Sequence, residues 1–290
     1  METESQTEKN ASRLAILEKI KLYEENGWFD KDLEDDPPTI ELLPNQIDYL
    51  RKKITSKIKC FFANKIKRIY VNRLIKKKRL LIKDILGIEN WQNIKSGAII
   101  TCNHFSPEDS FVMEKVFQLS KKKKMYRIIR EGNYTNPPVF KFFMRNCDTL
   151  PLSKNLHTMG KCIKAVDTIL QRGDNILIYP EESLWWNYRK PKPLKVGAFK
   201  FAAKNNVPVL PIFITMEDSD KIAENGFALQ EYTVHILEPI YPDESLEMNL
   251  RIDDMMQKNY EAWVKVYEQV YGEKLVYSTK PQSDENTNSN

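Results

Sequence analysis

The stretch Asn103-His104-Phe105-Ser106-Pro107-Glu108-Asp109 holds an imidazole and a carboxylate five positions apart. Neutral imidazole, with a reference pKa of about 6.5, is a base near neutral pH. A carboxylate on its other ring nitrogen fixes the tautomer and stabilises the imidazolium that forms when a proton is taken. The chemistry this pair offers is removal of a proton, for example from a hydroxyl. On one continuous helix the two side chains would diverge by about 140°. They meet if His104 precedes a helix and Asp109 lies in its first turn. The same letters carry a structural reading. Ser106-x-x-Asp109 is capping-box-like, with Asp in place of Glu or Gln, Ser106 as N-cap and Pro107 as first helical residue. Spacing alone leaves both readings open.

A second cluster is Tyr179-Pro180-Glu181-Glu182-Ser183. Carboxylates and a hydroxyl beside Trp185 and Trp186 make a plausible pocket wall. Arg189, Lys190 and Lys192 follow and could hold an anion. An ordinary polar loop with a basic surface explains the same letters equally well.

Both clusters need elements to position them. Ala98-Ile99-Ile100-Thr101-Cys102 is apolar and β-branched and reads as a buried strand. Phe111, Val112, Val116 and Leu119 share one face of a following helix. His104 therefore falls in a strand-to-helix turn, where α/β proteins place chemistry. Asn175-Ile176-Leu177-Ile178-Tyr179 is another buried strand, and it runs straight into the second cluster. From Ser96 onward the pattern is regular α/β. Further strands are expected at Met125 to Ile129, Thr149 to Leu152, Val207 to Ile214 and Tyr232 to Leu237. A short aromatic helix with Phe140, Phe142 and Phe143 follows loop signals at Asn136-Pro137-Pro138. Helical stripes run from Leu156 to Leu170, closed by Gly173, from Val196 to Lys204, and from Ile252 to Val270. A polar tail from Ser278 to Asn290 is expected to be disordered.

The chain of 290 residues carries a net charge of +5, with 29% charged and 41% hydrophobic residues. That composition fits a mildly basic protein able to bury a core. Four scattered cysteines (Cys60, Cys102, Cys147, Cys162) without Cys-x-x-Cys spacing argue against zinc and disulfide frameworks. The acidic, polar N-terminus shows no signal peptide, so a cytoplasmic setting is expected. No apolar run of about 18 residues offers a membrane span.

Two segments precede the α/β region. Residues 1–50 form an acidic arm with one short helical stripe at Ile16, Leu17, Ile20 and Tyr23, stopped at Gly27, and loop signals at Asp35-Asp36-Pro37-Pro38. This arm is expected to pack on the main domain. Residues 51–83 hold 14 Lys or Arg and no Asp or Glu. Ile54, Ile58, Phe61, Phe62, Ile66 and Ile69 recur between the charges at helical spacing. The segment 51–90 reads as one or two basic amphipathic helices continuing toward Leu80-Leu81-Ile82. It could lie on an anionic membrane surface through Arg51 to Lys83, pack on the core with a solvated basic face, or bind nucleic acid. No recognised nucleic-acid module is visible, and no nucleic-acid partner is expected.

The ordered motifs resemble the glycerolipid and lysophospholipid acyltransferase family. Asn103 to Asp109 matches its Asn-His-x4-Asp motif. Asp148-Thr149-Leu150-Pro151-Leu152-Ser153-Lys154 is similar to the second motif, usually Gly-x-Ile-Phe/Pro-Val-x-Arg. Tyr179 to Leu184 is similar to the third, Phe-Pro-Glu-Gly-Thr-Arg. Lys195-x-Gly197-Ala198 and Val207-Pro208-Val209-Leu210-Pro211 match the segment that follows, including the fourth. The resemblance spans roughly residues 90–240. It implies an α/β domain over 91–277 with a central mixed sheet flanked by helices, preceded by a helical segment. It implies transfer of a fatty acyl group from acyl-CoA or acyl-carrier protein to a hydroxyl of a lysophospholipid such as 1-acyl-glycerol 3-phosphate. His104 would be the general base and Asp109 its orienting partner. Asn103, Lys154, Tyr179, Pro180, Glu181, Glu182 and Ser183 would serve substrate binding. No bound cofactor or metal is implied. The partners implied are a lipid acceptor, a donor that could be acyl-carrier protein, and the inner face of a membrane.

This sequence departs from the family at positions that bear on the acceptor. The family's second-motif arginine is Lys154, its third-motif arginine is Leu184, and its third-motif glycine is Glu182. Lysine gives a point charge without the bidentate fork, and Glu182 adds negative charge. Arg189 or Lys190 could compensate for a phosphate. A zwitterionic, neutral or glycolipid acceptor, and a catalytically silent lipid-binding protein, are the alternatives these departures raise. A thioesterase using the same pair on water is a further, minor one.

Overall fold

A computed structural model describes residues 6–33, 39–134 and 138–279. Two helices come first, α1 (Gln6–Glu25) and α2 (Ile54–Lys76). There follow β1 (Leu81–Leu86), α3 (Ile88–Asn93), β2 (Ala98–Cys102), α4 (Asp109–Ser120) and β3 (Met125–Ile129). After a 3-10 turn at Glu131–Tyr134 come α5 (Pro138–Asn146), β4 (Thr149–Pro151), α6 (Leu156–Gln171) and β5 (Asn175–Ile178). The chain ends with α7 (Gly197–Asn205), β6 (Val209–Ile222), β7 (Ala228–Ile236) and α8 (Met248–Tyr271).

The strands form one mixed sheet in the order β1-β7-β6-β2-β5-β3-β4. β2 lies parallel to both β5 and β6, and β3 lies parallel to β5 and β4. β7 runs antiparallel to β6 and pairs in parallel with β1. Every residue of β2 is buried, as a central parallel strand requires. Its side chains alternate between two layers. Ala98, Ile100 and Cys102 join Val71 of α2, Trp91 of α3 and Val112, Met113 and Val116 of α4. Ile99 joins Cys162, Val166 and Ile169 of α6, Phe199 of α7 and Met255 of α8. The parallel arrangement brings the carboxyl ends of β2, β5, β3 and β4 to one edge. That edge carries both clusters singled out in the sequence.

The α/β class and a sheet flanked by helices are as expected, and the arm packs on the main domain. Ile16 and Ile20 of α1 bury against Leu33 and Trp185. From Trp28 the arm is a strap along the carboxyl edge. Leu42 N donates to Glu131 at 2.6 Å, Ser153 Oγ to Leu42 O at 3.3 Å, and Tyr49 OH to Pro151 O at 2.8 Å.

Several boundaries differ from the expectation. The basic segment is one helix that stops at Lys76, and Lys78 turns the chain at φ 53°. Leu81–Leu86, expected as helix, is a strand on β7, so the sheet already begins within 51–90. Lysines on both sides of this turn hide it, because no Gly or Pro marks it. Helix α4 starts at Asp109, two residues after Pro107. Ser106 is not its N-cap, although Ser106 Oγ accepts the Glu108 N–H at 3.2 Å. Strands β6 and β7 extend well past the expected limits, because Thr215 to Asp218 pair with Gln230 to Thr233. The tail is anchored at its start: Ser278 N donates to Glu24 Oε1 at 2.8 Å, and Thr279 Oγ1 to Glu24 O at 2.8 Å. Asp35 to Pro38, Asn136, Pro137 and the tail from Lys280 lie outside the described residues.

Candidate active site

The turn after β2 is held from both neighbouring strands. Asn103 behaves as a strand partner for β6. Its Nδ2 donates to Ile214 O at 2.9 Å, and its Oδ1 accepts the Ile214 N–H at 2.8 Å. Both ends of the amide are engaged, so Asn103 is a clamp on the turn. On the other side, His104 N donates to Glu181 Oε2 at 3.0 Å, and His104 O accepts the Trp185 N–H at 3.3 Å.

With its backbone fixed this way, His104 meets Asp109. Nδ1 lies 2.6 Å from Asp109 Oδ2. An ionised carboxylate only accepts hydrogen bonds. The proton of neutral His104 therefore sits on Nδ1, and Nε2 carries the lone pair. Asp109 is fully buried, whereas the His104 side chain is 24% exposed, which leaves the base accessible. The same Asp109 oxygen also accepts the N–H groups of Phe105 at 3.3 Å and Ser106 at 3.5 Å. One carboxylate thus makes both the histidine contact and the reach back to Ser106 that the capping pattern calls for.

Tyr179 completes this group. Its ring stacks on His104 with centroids 4.2 Å apart and planes 22° apart. Its hydroxyl donates to Asp109 Oδ1 at 2.9 Å. Burial, reinforced by the charge of Asp109, pushes the phenol pKa well up, so the group stays a donor at neutral pH. Tyr179, expected at the substrate, thereby contacts both the histidine and the aspartate.

The rest of the second cluster supports the turn from beneath. Glu181 is buried, with Oε2 on His104 N and Oε1 accepting the Lys192 N–H at 2.9 Å. Lys192 is buried too. Its Nζ donates to Ser183 O at 2.7 Å and Ser183 Oγ at 2.8 Å, and lies 3.5 Å from Glu181. Desolvation lowers the Lys192 pKa, and the Glu181 charge offsets that in part. Ser183 Oγ donates to Phe29 O of the strap at 2.5 Å. Pro180 O accepts the Lys195 N–H at 2.7 Å. Glu181 and Ser183, expected at the substrate, are engaged by protein groups. Glu182 is exposed and sits at φ 57°, a conformation that explains a glycine at this place in the motif. Its Oε1 lies 3.8 Å from where a Cβ on Gly197 would be, at the start of α7, where a carboxylate is favoured.

Lys154 is exposed after β4, three strands from β2, a lateral offset of about 14 Å at the usual strand spacing of about 4.8 Å. Arg189 pairs with Asp218 at 3.2 Å, and Lys190 with Glu24 at 2.7 Å. A further cation next to the third motif is Arg130, directly after β3. It donates to Glu182 O and to Asp32 of the strap. Sequence reasoning passed over Arg130. The available signal was a basic residue directly after a buried parallel strand.

Residues 84–215 match the family model described as Acyltransferase. A chloroplastic 1-acyl-sn-glycerol-3-phosphate acyltransferase of Brassica napus is 28% identical over 144 residues, 49% of this chain. The match spans only 39% of that curated relative's length. Among solved structures, the fold is similar to that of the 1-acyl-sn-glycerophosphate acyltransferase PlsC of Thermotoga maritima. The TM-score is 0.53 at 17% identity, over 79% of this chain and 87% of the other. The ordered motifs and the matched model make residues 84–215 similar to the Acyltransferase family, and the fold is shared with a solved acyltransferase.

Proposed function

We propose that this protein transfers a fatty acyl group from a thioester, acyl-CoA or acyl-carrier protein, to a hydroxyl of a lysophospholipid, 1-acyl-glycerol 3-phosphate above all. The observation that carries this reading is the 2.6 Å contact of His104 Nδ1 with Asp109 Oδ2 inside a matched acyltransferase domain. His104 Nε2 takes the acceptor's hydroxyl proton as its oxygen attacks the thioester carbonyl. The C–S bond then breaks, and the imidazolium returns the proton to the thiolate. The products are an ester and a free thiol. Asp109 keeps the tautomer and stabilises the imidazolium. General-base help of this kind is worth about 10²–10⁴ in rate, so positioning of donor and acceptor supplies the rest.

Docking on an anionic membrane, at the cytoplasmic face, is part of the proposal. Helix α2 is apolar on two faces. Val71, with Leu74 and Ile75, packs on the core, and Lys67 bonds Glu114 at 2.8 Å. The other face leaves Ile54, Ile58, Phe61, Phe62, Ile66, Ile69 and Tyr70 exposed among Lys57, Lys59, Lys65 and Arg68. Apolar side chains ringed by cations suit the headgroup region of anionic lipid. No helix among the described residues is long and apolar enough to cross a membrane.

The direct test is acyl transfer in mixed micelles read by lipid mass spectrometry. Labelled acyl-CoA and acyl-carrier protein are each offered to competing lysophospholipids. Labelled phosphatidic acid is expected from the wild type, with a loss of at least about 10²-fold in His104→Ala. Equal turnover by both proteins would overturn the role of His104. Turnover by neither would overturn the enzyme reading.

A further inference from the structure

The strap residues Asp30 and Asp32 face the two cations that flank the third-motif turn. Asp32 Oδ1 accepts the Leu184 N–H at 2.8 Å, and its Oδ2 accepts from Arg130. Asp30 pairs with Lys195 at 3.3 Å, and Lys195 N is bonded to Pro180 O. A guanidinium and a backbone N–H converging on one carboxylate form a cradle that also suits a phosphate oxygen. The cradle adjoins the catalytic turn, because the next residue, Trp185, bonds His104 O through its own N–H. Three strap contacts hold the carboxylate there. They are Ser183 Oγ to Phe29 O, the Trp185 indole to Lys31 O at 2.8 Å, and Lys19 Nζ to Leu33 O at 2.6 Å. The plug itself is open to solvent. Arg130 is 44% and Asp32 21% exposed, so their pairing is screened and exchangeable.

We propose that Arg130 and the Leu184 N–H form the cradle for the acceptor's phosphate monoester, and that Asp32 plugs this cradle until a phosphate-bearing acceptor displaces it. The inference rests on the lysophospholipid acceptor proposed above. It supplies a cation–amide pair at the place where the third motif has Leu184 instead of arginine. It also gives the strap a role in selectivity. A neutral glyceride has no group to exchange for the Asp32 carboxylate, whereas a phosphate replaces it with equal or greater charge. Displacing the plug weakens the apparent affinity by the fraction of chains in which it is seated.

The test measures binding without acyl donor, so that it does not depend on turnover. Tryptophan fluorescence reports titrations of the full chain with lysophosphatidic acid and with monoacylglycerol of the same acyl chain, in neutral detergent micelles. The readout is the ratio of the two affinities. Asp32→Asn removes the competing charge and is expected to shift that ratio toward lysophosphatidic acid by about two- to fivefold. Arg130→Gln is expected to shift it about tenfold or more the other way, and Arg130→Lys to fall between, since lysine keeps charge without the fork. Thermal melting checks that each variant is folded, and the Lys variant serves if Gln is not. A ratio unmoved by both substitutions, or moved in the same direction by both, would overturn the cradle. Wild type that binds lysophosphatidic acid selectively yet transfers no acyl group would sink the acyltransfer proposal and leave the cradle standing. Wild type that turns over, with an unmoved ratio in the variants, would do the reverse.

Discussion

The hydroxyl of Tyr179 bonds Asp109 Oδ1 at 2.9 Å while the Tyr179 ring lies flat against His104. One side chain at the end of β5 therefore fixes both members of a pair carried by the turn after the neighbouring strand β2. Tyr179→Phe keeps the stack and deletes the donor. A hydrogen bond to a charged group is worth about 1.5–3 kcal/mol, part of which water can restore. The expected result is a kcat lower by about tenfold with little change in KM. A KM effect with unaltered kcat would instead make Tyr179 a substrate contact.

Lys192 and Glu181 are an ion pair with 1% and 2% of their side chains exposed. Removing one partner of such a pair leaves a buried charge alone, at a cost of about 3–5 kcal/mol. Lys192→Met is expected to destabilise the fold by that order in urea unfolding, and to depress activity because Glu181 also holds His104 N. Adding Glu181→Gln should recover much of the stability, since the stranded charge is gone. If the double substitution is as unstable as the sum of the singles, the pair carries no such coupling.

Glu108 lies beside Asp109 and accepts the Tyr232 hydroxyl at 3.0 Å. Burial raises its pKa, the Tyr232 bond pulls it back, and the Asp109 charge adds to the rise. An acid whose pKa is raised by folding ionises first in the unfolded chain. Stability therefore falls as pH rises from the ordinary glutamate range through the folded pKa, and the penalty persists above it. Glu108→Gln keeps an acceptor for Tyr232 and removes the ionisation. Its melting temperature should exceed the wild type at pH 7, and the gain should vanish below about pH 4. A gain that grows toward acid pH would contradict this assignment.

What was legible in the sequence was local. The buried run 98–102, the stripe of α6 and the five-residue spacing of His104 and Asp109 each declare themselves within a few residues. What escaped was long-range. Strand β1 exists because it finds β7 about 150 residues away, and its Leu-Ile-Lys-Asp-Ile-Leu has no strict alternation. The outer half of β6 is polar at most positions and reads as loop until β7 pairs with it. Asn103, Glu181 and Ser183 carry motif letters that suggest substrate contact, yet their partners are Ile214, Lys192 and Phe29. The Asp32–Arg130 pair joins an acidic arm to the end of β3 across about 100 residues, and nothing in either segment names the other.

Phe61 and Phe62 of α2 are 64% and 54% exposed, and they touch each other edge to face, so their burial is not needed for the fold. Phe61→Ser with Phe62→Ser should change folding stability by little, as surface substitutions do. The lipid contact should suffer much more. Full burial of one such side chain is worth about 1.5–3 kcal/mol, so partial insertion of two predicts at least about a tenfold loss of binding to anionic vesicles. Reversing Lys57, Lys59 and Lys65 to Glu should produce a comparable loss that depends on salt. Each basic residue contributes about 1 kcal/mol near an anionic surface, and a Debye length of about 8 Å at physiological ionic strength screens it. Co-sedimentation with vesicles at low and high salt separates the two terms. The Phe variant should lose binding at both ionic strengths, and the charge variant mainly at low salt. Vesicle binding that survives both sets of substitutions would move the membrane surface away from α2.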